Sequence, residues 1–240
     1  MSRRGFVAVA HRGDPYRLRE NTVASIRSAA ARGADAVETD VRLTRDGVPV
    51  LLHDASLERL WGDPRPLADV TARELTEVTS GGVPLLRDAL RATECRLQLD
   101  LPGATPEAVR AMVGVVRECG ASERVYWTGA PSTMLAVRAA EPGAEIAMTW
   151  GTVAPPLPSL LAAVRPRWVN YRFGLATAEV IARGHRDGLL VSAWTVDTGW
   201  RMRRLIRAGI DALTTNRIDV LARLVAGSRG VPAHNGEERT

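Results

Sequence analysis

The chain alternates between two hydrophobic rhythms. Short apolar runs, the pattern of buried strands, are followed by longer stretches where apolar residues return every three or four positions, the pattern of one-sided helices. The first run, FVAVA over 6–10, ends at His11. A helix is expected next, to Arg32: Asn21 or Thr22 can cap it, Val23, Ile26 and Ala30 share a face, and Gly33 stops it. The second run occupies 36–41. From residue 96 onward the alternation is regular, with strands expected at 96–101, 124–128, 145–149, 167–171, 189–195 and 211–214. Helices are expected at 105–120, 131–140, 157–164, 177–187 and 198–209, with a last one to about Ala226. Thr105 and Thr198 stand where N-caps are needed, and Gly188 and Gly209 where helices stop. Eight strands alternating with helices predict an α/β fold, a TIM (β/α)8 barrel. The 240 residues come close to the ~250 typical of one such domain, so a single barrel is expected over 1–226 and a flexible C-terminal tail over 227–240.

The rhythm breaks once. Asp46-Gly47 is a two-residue turn signal, so 41–52 is expected to fold back as a hairpin-like arm beside the second strand. Thr71-x-x-Glu74 reads as a capping box, and Pro84 as the first turn of a helix reaching Thr93.

Composition changes this picture little. Hydrophobic content of 45% and charged content of 25% suit a globular protein with a sizeable core. No run approaches the ~18–20 apolar residues of a membrane span, and the apolar run behind Arg3-Arg4 is too short for a signal peptide. A cytoplasmic protein without stable membrane insertion is expected. Cys95 and Cys119 fit neither a disulfide framework nor a metal-ligand spacing. All 32 basic residues are arginine, and the net charge is +5. The densest cluster, Arg201, Arg203, Arg204 and Arg207, falls on one expected helix and reads as a solvated face, so no nucleic-acid partner is expected. A mild positive field favours a small anionic substrate such as a phosphodiester.

Candidate chemistry gathers at the ends of the first strands. Within the second run, Glu38 and Asp40 are two residues apart and so share a face, roughly 6.5–7 Å apart along the strand. Two carboxylates on one face repel unless a proton or cation sits between them, and hard divalent ions favour such oxygen donors. His11 ends the first strand and His53 follows the run at 48–52. Two imidazoles beside a cation can take and return a proton near neutral pH, which points to metal-assisted acid–base chemistry. His185 and His234 are assigned no role.

The set His11-Arg12-Gly13, Glu20-Asn21-Thr22, Glu38-x-Asp40, Asp46-Gly47 and His53-Asp54 resembles, in order and spacing, the glycerophosphodiester phosphodiesterase family. The resemblance spans about Val7 to Asp219. It implies hydrolysis of glycerophosphodiesters to sn-glycerol 3-phosphate and an alcohol, with one divalent ion, Mg²⁺ or Ca²⁺, and attack by the substrate's own glycerol hydroxyl. His11 is then the favoured base and His53 the acid, Arg12 a phosphate contact, and Asp100 a third metal ligand beside Glu38 and Asp40. The family's Glu-x-Lys pattern on the third barrel strand is matched by Asp100-Leu101-Pro102, which loses the lysine; a register placing Gln98 at the acidic position is the alternative. Arg12 or Arg172 is the candidate replacement for the lost charge. Trp194-Thr195-Val196-Asp197 resembles the family's WTVN with Asp for Asn, and 211–219 its GxDGIxTDxP with Asn216 for Asp and no proline. Trp194 either walls the substrate pocket or packs in the core. Two other outcomes are compatible with the resemblance: a phospholipase D-like enzyme on lysophospholipids or sphingolipids that releases a cyclic phosphate, and a non-catalytic phosphodiester-binding barrel.

Overall fold

Apolar strands too short to bury themselves find cover by lying side by side, and the computed structural model, which describes residues 5–229, closes them into a ring. In chain order the elements are β1 (Val7–His11), α1 (Val23–Ala31), β2 (Ala36–Leu43), β3 (Pro49–Leu51), α2 (Glu58–Trp61), α3 (Ala72–Thr79), α4 (Leu86–Ala92), β4 (Arg96–Asp100) and α5 (Pro106–Glu118). Then follow β5 (Val125–Gly129), α6 (Pro131–Ala140), β6 (Ile146–Trp150), α7 (Pro158–Val164), β7 (Trp168–Arg172), α8 (Ala178–Arg186), β8 (Leu190–Trp194), α9 (Gly199–Arg207), β9 (Ala212–Thr215) and α10 (Ile218–Arg229). The strands run in the order β1-β9-β8-β7-β6-β5-β4-β2-β3, and β1 also pairs with β2. That last pairing closes a parallel eight-stranded barrel, the expected TIM fold in one domain. Its last helix continues past the boundary expected at 226, to Arg229. Of the expected tail, 230–240, including His234, lies outside the described residues.

β3 is the hairpin arm. It pairs antiparallel with β2, Val41 opposite Leu51, through a turn in which Gly47 N–H donates to the Thr44 carbonyl at 2.9 Å and Gly47 takes φ 78°. The excursion behind it covers a small core of its own, Val50, Leu52, Leu57, Leu67, Val70, Leu75 and Val83. Within it, Thr71 and Glu74 form the expected capping box. Two capping expectations differ. The helix after Pro84 starts at Leu86, because the Pro84 carbonyl is used by Leu51 N–H at 3.0 Å and holds the arm instead. Thr198 stands at the N-cap of α9 without a side-chain capping bond.

Inside the barrel the strand period of two builds layers. The lower layer is largely apolar: Val9, Ala36, Tyr126, Ala147, Trp168, Leu190 and Ala212. Two residues further along each strand comes a polar ring, one residue per strand: His11, Glu38, Gln98, Thr128, Thr149, Asn170, Ser192 and Thr214. Ser192 hydroxyl donates to Asn170 Oδ1 at 2.8 Å and Thr128 hydroxyl to the Ala147 carbonyl at 2.8 Å, so these buried groups satisfy one another. The ring is the floor of the functional cavity.

Candidate active site

Above that floor opens a cavity of about 500 Å³ at the carboxyl ends of the strands, lined among others by His11, Arg12, Glu38, Asp40, His53, Asp100 and Trp194. All seven sequence-selected site residues therefore face one space. Parallel pairing sets Asp40 opposite Asp100 and Glu38 opposite Gln98. Oxygen atoms of Glu38, Asp40 and Asp100 lie within 4.8 Å of one another. The register with Asp100 as third acid is the one present; Gln98 instead accepts a hydrogen bond from Tyr126 Oη at 3.2 Å.

Three buried acids this close cannot all ionise freely. Burial, then the charges of Asp40 and Asp100, push the Glu38 carboxyl well above the usual range. Burial and the Asp40 charge push Asp100 up to about 7. One guanidinium, Arg12, stands against them: Nε is 3.2 Å from Asp40 Oδ2, off the hydrogen-bonding line, and the Arg12 backbone N–H donates to Glu38 Oε2 at 3.0 Å. Asn21 holds Asp40 from the other side, Nδ2 donating to Oδ2 at 2.9 Å. A hard divalent cation fits this set, since the donors are oxygen, converge and carry surplus negative charge.

The loop after β1 is shaped by Gly13, whose φ of 92° suits glycine, and a Cβ there would sit 2.2 Å from Ser25 Oγ and 2.7 Å from the Ser25 backbone carbon. Gly13→Ala is expected to cost about 2 kcal/mol or more of stability. A urea unfolding midpoint equal to wild type would show instead that the loop yields freely.

His11 ends β1 with its ring against Glu38, Nε2 lying 3.9 Å from Glu38 Oε2. Its Nδ1 is 2.8 Å from Asn216 Oδ1. Asn216 Nδ2 and backbone N–H both donate to Asp197, each at 2.9 Å, and a carboxylate only accepts. That orients the amide with its oxygen towards the ring, so His11 Nδ1 donates and Nε2 keeps its lone pair facing the cavity. Burial and the Arg12 charge lower the His11 pKa from its ordinary value. His53 lines the same cavity from the end of the hairpin arm, its Nδ1 donating to Asp54 Oδ1 at 2.7 Å. Asp54 is gripped by Arg59 Nε at 2.5 Å, and that hydrogen bond holds its carboxyl below the usual range. Arg59 also reaches Glu20 at 2.6 Å, and Glu20 receives Arg12 at 3.0 Å.

A family model described as the glycerophosphoryl diester phosphodiesterase family matches residues 11–220. The chain belongs to this family. "Probable glycerophosphodiester phosphodiesterase 2" of Mycobacterium tuberculosis is 33% identical over 239 residues, covering 90% of this chain and 89% of that relative. The glycerophosphodiester phosphodiesterase of Caldanaerobacter subterraneus is 27% identical and covers 91% and 97% respectively. Among solved structures, a phosphodiesterase of Oleispira antarctica in complex with the product sn-glycerol-3-phosphate superposes with a TM-score of 0.84 at 20% identity, over 92% of this chain and 96% of that one. At that identity the likeness speaks for the fold. The chain's class is that of an enzyme, a phosphodiesterase.

Against the family pattern, three departures can now be placed. Pro102, at the lysine position, lines the cavity and brings no charge. Arg172 does not replace the lysine: it is exposed at the end of β7 and is absent from the cavity lining. Arg12 does line it. The other two departures, Asp197 for Asn and Asn216 for Asp, prove reciprocal, because the two side chains bond each other. One amide and one carboxylate are kept, with their places exchanged, and it is the amide that meets His11. Trp194 is part of the cavity wall and 36% exposed, so it does not pack in the core. His185 ties α8 to Asp211 at 2.7 Å, far from this chemistry. Sequence reasoning missed Arg59 and the polar ring.

Proposed function

We propose that the chain hydrolyses glycerophosphodiesters to sn-glycerol 3-phosphate and an alcohol, with Glu38, Asp40 and Asp100 holding one divalent cation, Mg²⁺ or Ca²⁺. The observation that carries this reading is that two differently partnered histidines line one cavity with a triad of acids. The cation, when bound, supplies positive charge to the phosphoryl oxygens. Arg12, beside the triad, contacts the phosphate. His11 Nε2 takes the proton from the substrate's glycerol hydroxyl, which attacks phosphorus; tethering such a nucleophile is worth on the order of 10⁵ M or more. His53 gives its proton to the departing alcohol oxygen. Being partly exposed, it can be recharged from solvent. Water then opens the cyclic phosphate with the two roles reversed. Trp194 walls the glycerol side.

Release of sn-glycerol 3-phosphate from glycerophosphocholine, abolished by chelator and restored by Mg²⁺ or Ca²⁺, is the expected result. A cyclic phosphate persisting in the phosphorus NMR spectrum would mean the second step is absent. No release with either ion would leave a phosphodiester-binding barrel.

The exchanged pair gives a second check. Asn216→Asp alone sets two carboxylates against each other and removes the donor that orients residue 216, costing about 1–3 kcal/mol, or about 5- to 150-fold in kcat. Adding Asp197→Asn restores one amide and one carboxylate, and kcat is expected to recover most of that loss. A double variant as slow as the single one would mean the pair does not orient His11.

A further inference from the structure

Among the described residues, large apolar side chains left in solvent are concentrated at one place. Of the eight most exposed, six (Tyr16, Leu18, Val153, Leu157, Trp194 and Trp200) lie at or after the carboxyl ends of β1, β6 and β8. Tyr16 is 68% exposed, Leu157 67% and Trp200 54%. β6, β7, β8, β9 and β1 are consecutive round the barrel, so the loops that follow them form one continuous arc along one side of the cavity mouth. His53 and Arg59 lie on the hairpin side, which meets the arc at the loop after β1, where Arg19 stacks 4.1 Å from the Trp61 ring centre and Glu20 accepts from Arg59.

These side chains are held outward. Trp150 Nε1 donates to the Ala154 carbonyl at 2.7 Å, and the Arg183 guanidinium donates to the Val153 carbonyl, fixing the loop that presents Val153 and Leu157. The Arg201 guanidinium sits 5.3 Å from the Trp200 ring centre and 4.8 Å from that of Phe173. Arg217 sits 5.4 Å from the ring centre of Tyr16. The segment 151–157 carries no charged residue. Interleaved with the apolar groups are exposed Arg17, Arg19, Arg172 and Arg201, none of which makes an ion pair among the described residues. An apolar, aromatic rim carrying unpaired arginines is matched by an interface that is greasy below and anionic above.

We propose that this arc docks on the surface of a lipid bilayer bearing anionic head groups, with the cavity mouth turned towards them. Tyr16, Leu18, Val153, Leu157 and Trp200 enter the boundary between head groups and acyl chains, and the four arginines meet lipid phosphates. The aliphatic members distinguish the arc from a single-stranded nucleic-acid platform, which works by stacking aromatic rings on bases. The purpose of docking, bringing the active site to phosphodiesters at a membrane, rests on the function proposed above; the docking itself does not depend on turnover.

The test is co-sedimentation of the full chain with vesicles of phosphatidylcholine alone or of phosphatidylcholine with about one part in three phosphatidylglycerol. Wild type is expected to pellet with the anionic vesicles and far less with the neutral ones. Tyr16→Ser, Leu157→Ser and Trp200→Ser combined lower partitioning about tenfold or more. Arg17→Gln and Arg201→Gln lower it about fivefold for each arginine removed, the fold-change for roughly 1 kcal/mol. Both variants hydrolyse glycerophosphocholine in solution as wild type does, which shows that they are folded. The proposal is overturned if wild type stays in the supernatant with anionic vesicles, if the triple variant pellets like wild type, or if a single-stranded oligonucleotide outcompetes the vesicles. Wild type that pellets as expected but releases no glycerol 3-phosphate supports the docking and removes the proposed reaction.

Discussion

His11→Ala is expected to lower kcat by about 10²–10⁴ while the cation still binds. The ring is fixed at the floor of the cavity, with Nδ1 committed to Asn216 and Nε2 turned to the cavity, where the proposed reaction puts the attacking hydroxyl. Its lowered pKa keeps that nitrogen unprotonated at neutral pH. Removing it takes away the proton acceptor and leaves the acids in place. His53→Ala is expected to fall in the same range for an ordinary alkyl alcohol, but the two variants part company on a substrate whose leaving group needs no proton. A p-nitrophenyl diester restores turnover to His53→Ala and does nothing for His11→Ala, because only the acid has become dispensable. Titration calorimetry with Mg²⁺ or Ca²⁺ checks that the cation site survives. Near-normal kcat in either variant on glycerophosphocholine would remove the acid–base assignment.

The second large effect concerns the cation and stability together. Asp100, raised to about 7 from an unfolded-state value of 3.8, holds a proton in the native chain that the unfolded chain has lost between those values. Its contribution is fully present below about pH 4 and disappears as pH rises through about 7. Glu38, raised in the same direction, adds to it. The cation-free protein is thus expected to lose stability from mildly acid to mildly alkaline pH. Filling the site reverses this, because the cation favours the ionised acids. At a hundredfold excess over its Kd it adds about 2.7 kcal/mol, or about 5–10 °C in Tm for a chain of this size. Thermal unfolding with chelator and with saturating Mg²⁺ or Ca²⁺, at pH 5 and pH 8, gives the comparison. The Tm gain is expected at pH 8 and largely absent at pH 5; equal gains would show that these acids do not bind the ion.

The repeating strand–helix pattern was legible because each element carries its own period and its own stops, as with α6, whose observed span Pro131–Ala140 equals the expected one. Glu38 and Asp40 were legible because two acids in an apolar strand demand a partner. The polar ring was not. Thr128, Thr149 and Ser192 are lone polar residues in their strands, and Asn170 and Thr214 share theirs with Arg172 and Thr215; the strands are covered on both faces, where outward apolar residues mask the period of two. Only counting two places on from the apolar layer, strand by strand, would have found them. Arg59 was hidden for another reason: it belongs to an excursion whose path is set by its own small core. Asp197 and Asn216 were visible singly as departures, but their contact joins the segments just past the ends of β8 and β9, which only the pairing of those strands brings side by side.

His53, Asp54, Arg59, Glu20, Arg12 and Asp40 stand in an unbroken file of opposite partners, every step within 3.2 Å. The histidine at the end of the hairpin arm and one acid of the triad are thus mechanically one object through their side chains, although those two side chains share no hydrogen bond. Damage to any intermediate member should be felt at both termini, and damage at two members should hurt scarcely more than damage at one. A surveyor of variants who scored Glu20, Arg59 and Asp54 separately would count the same loss three times.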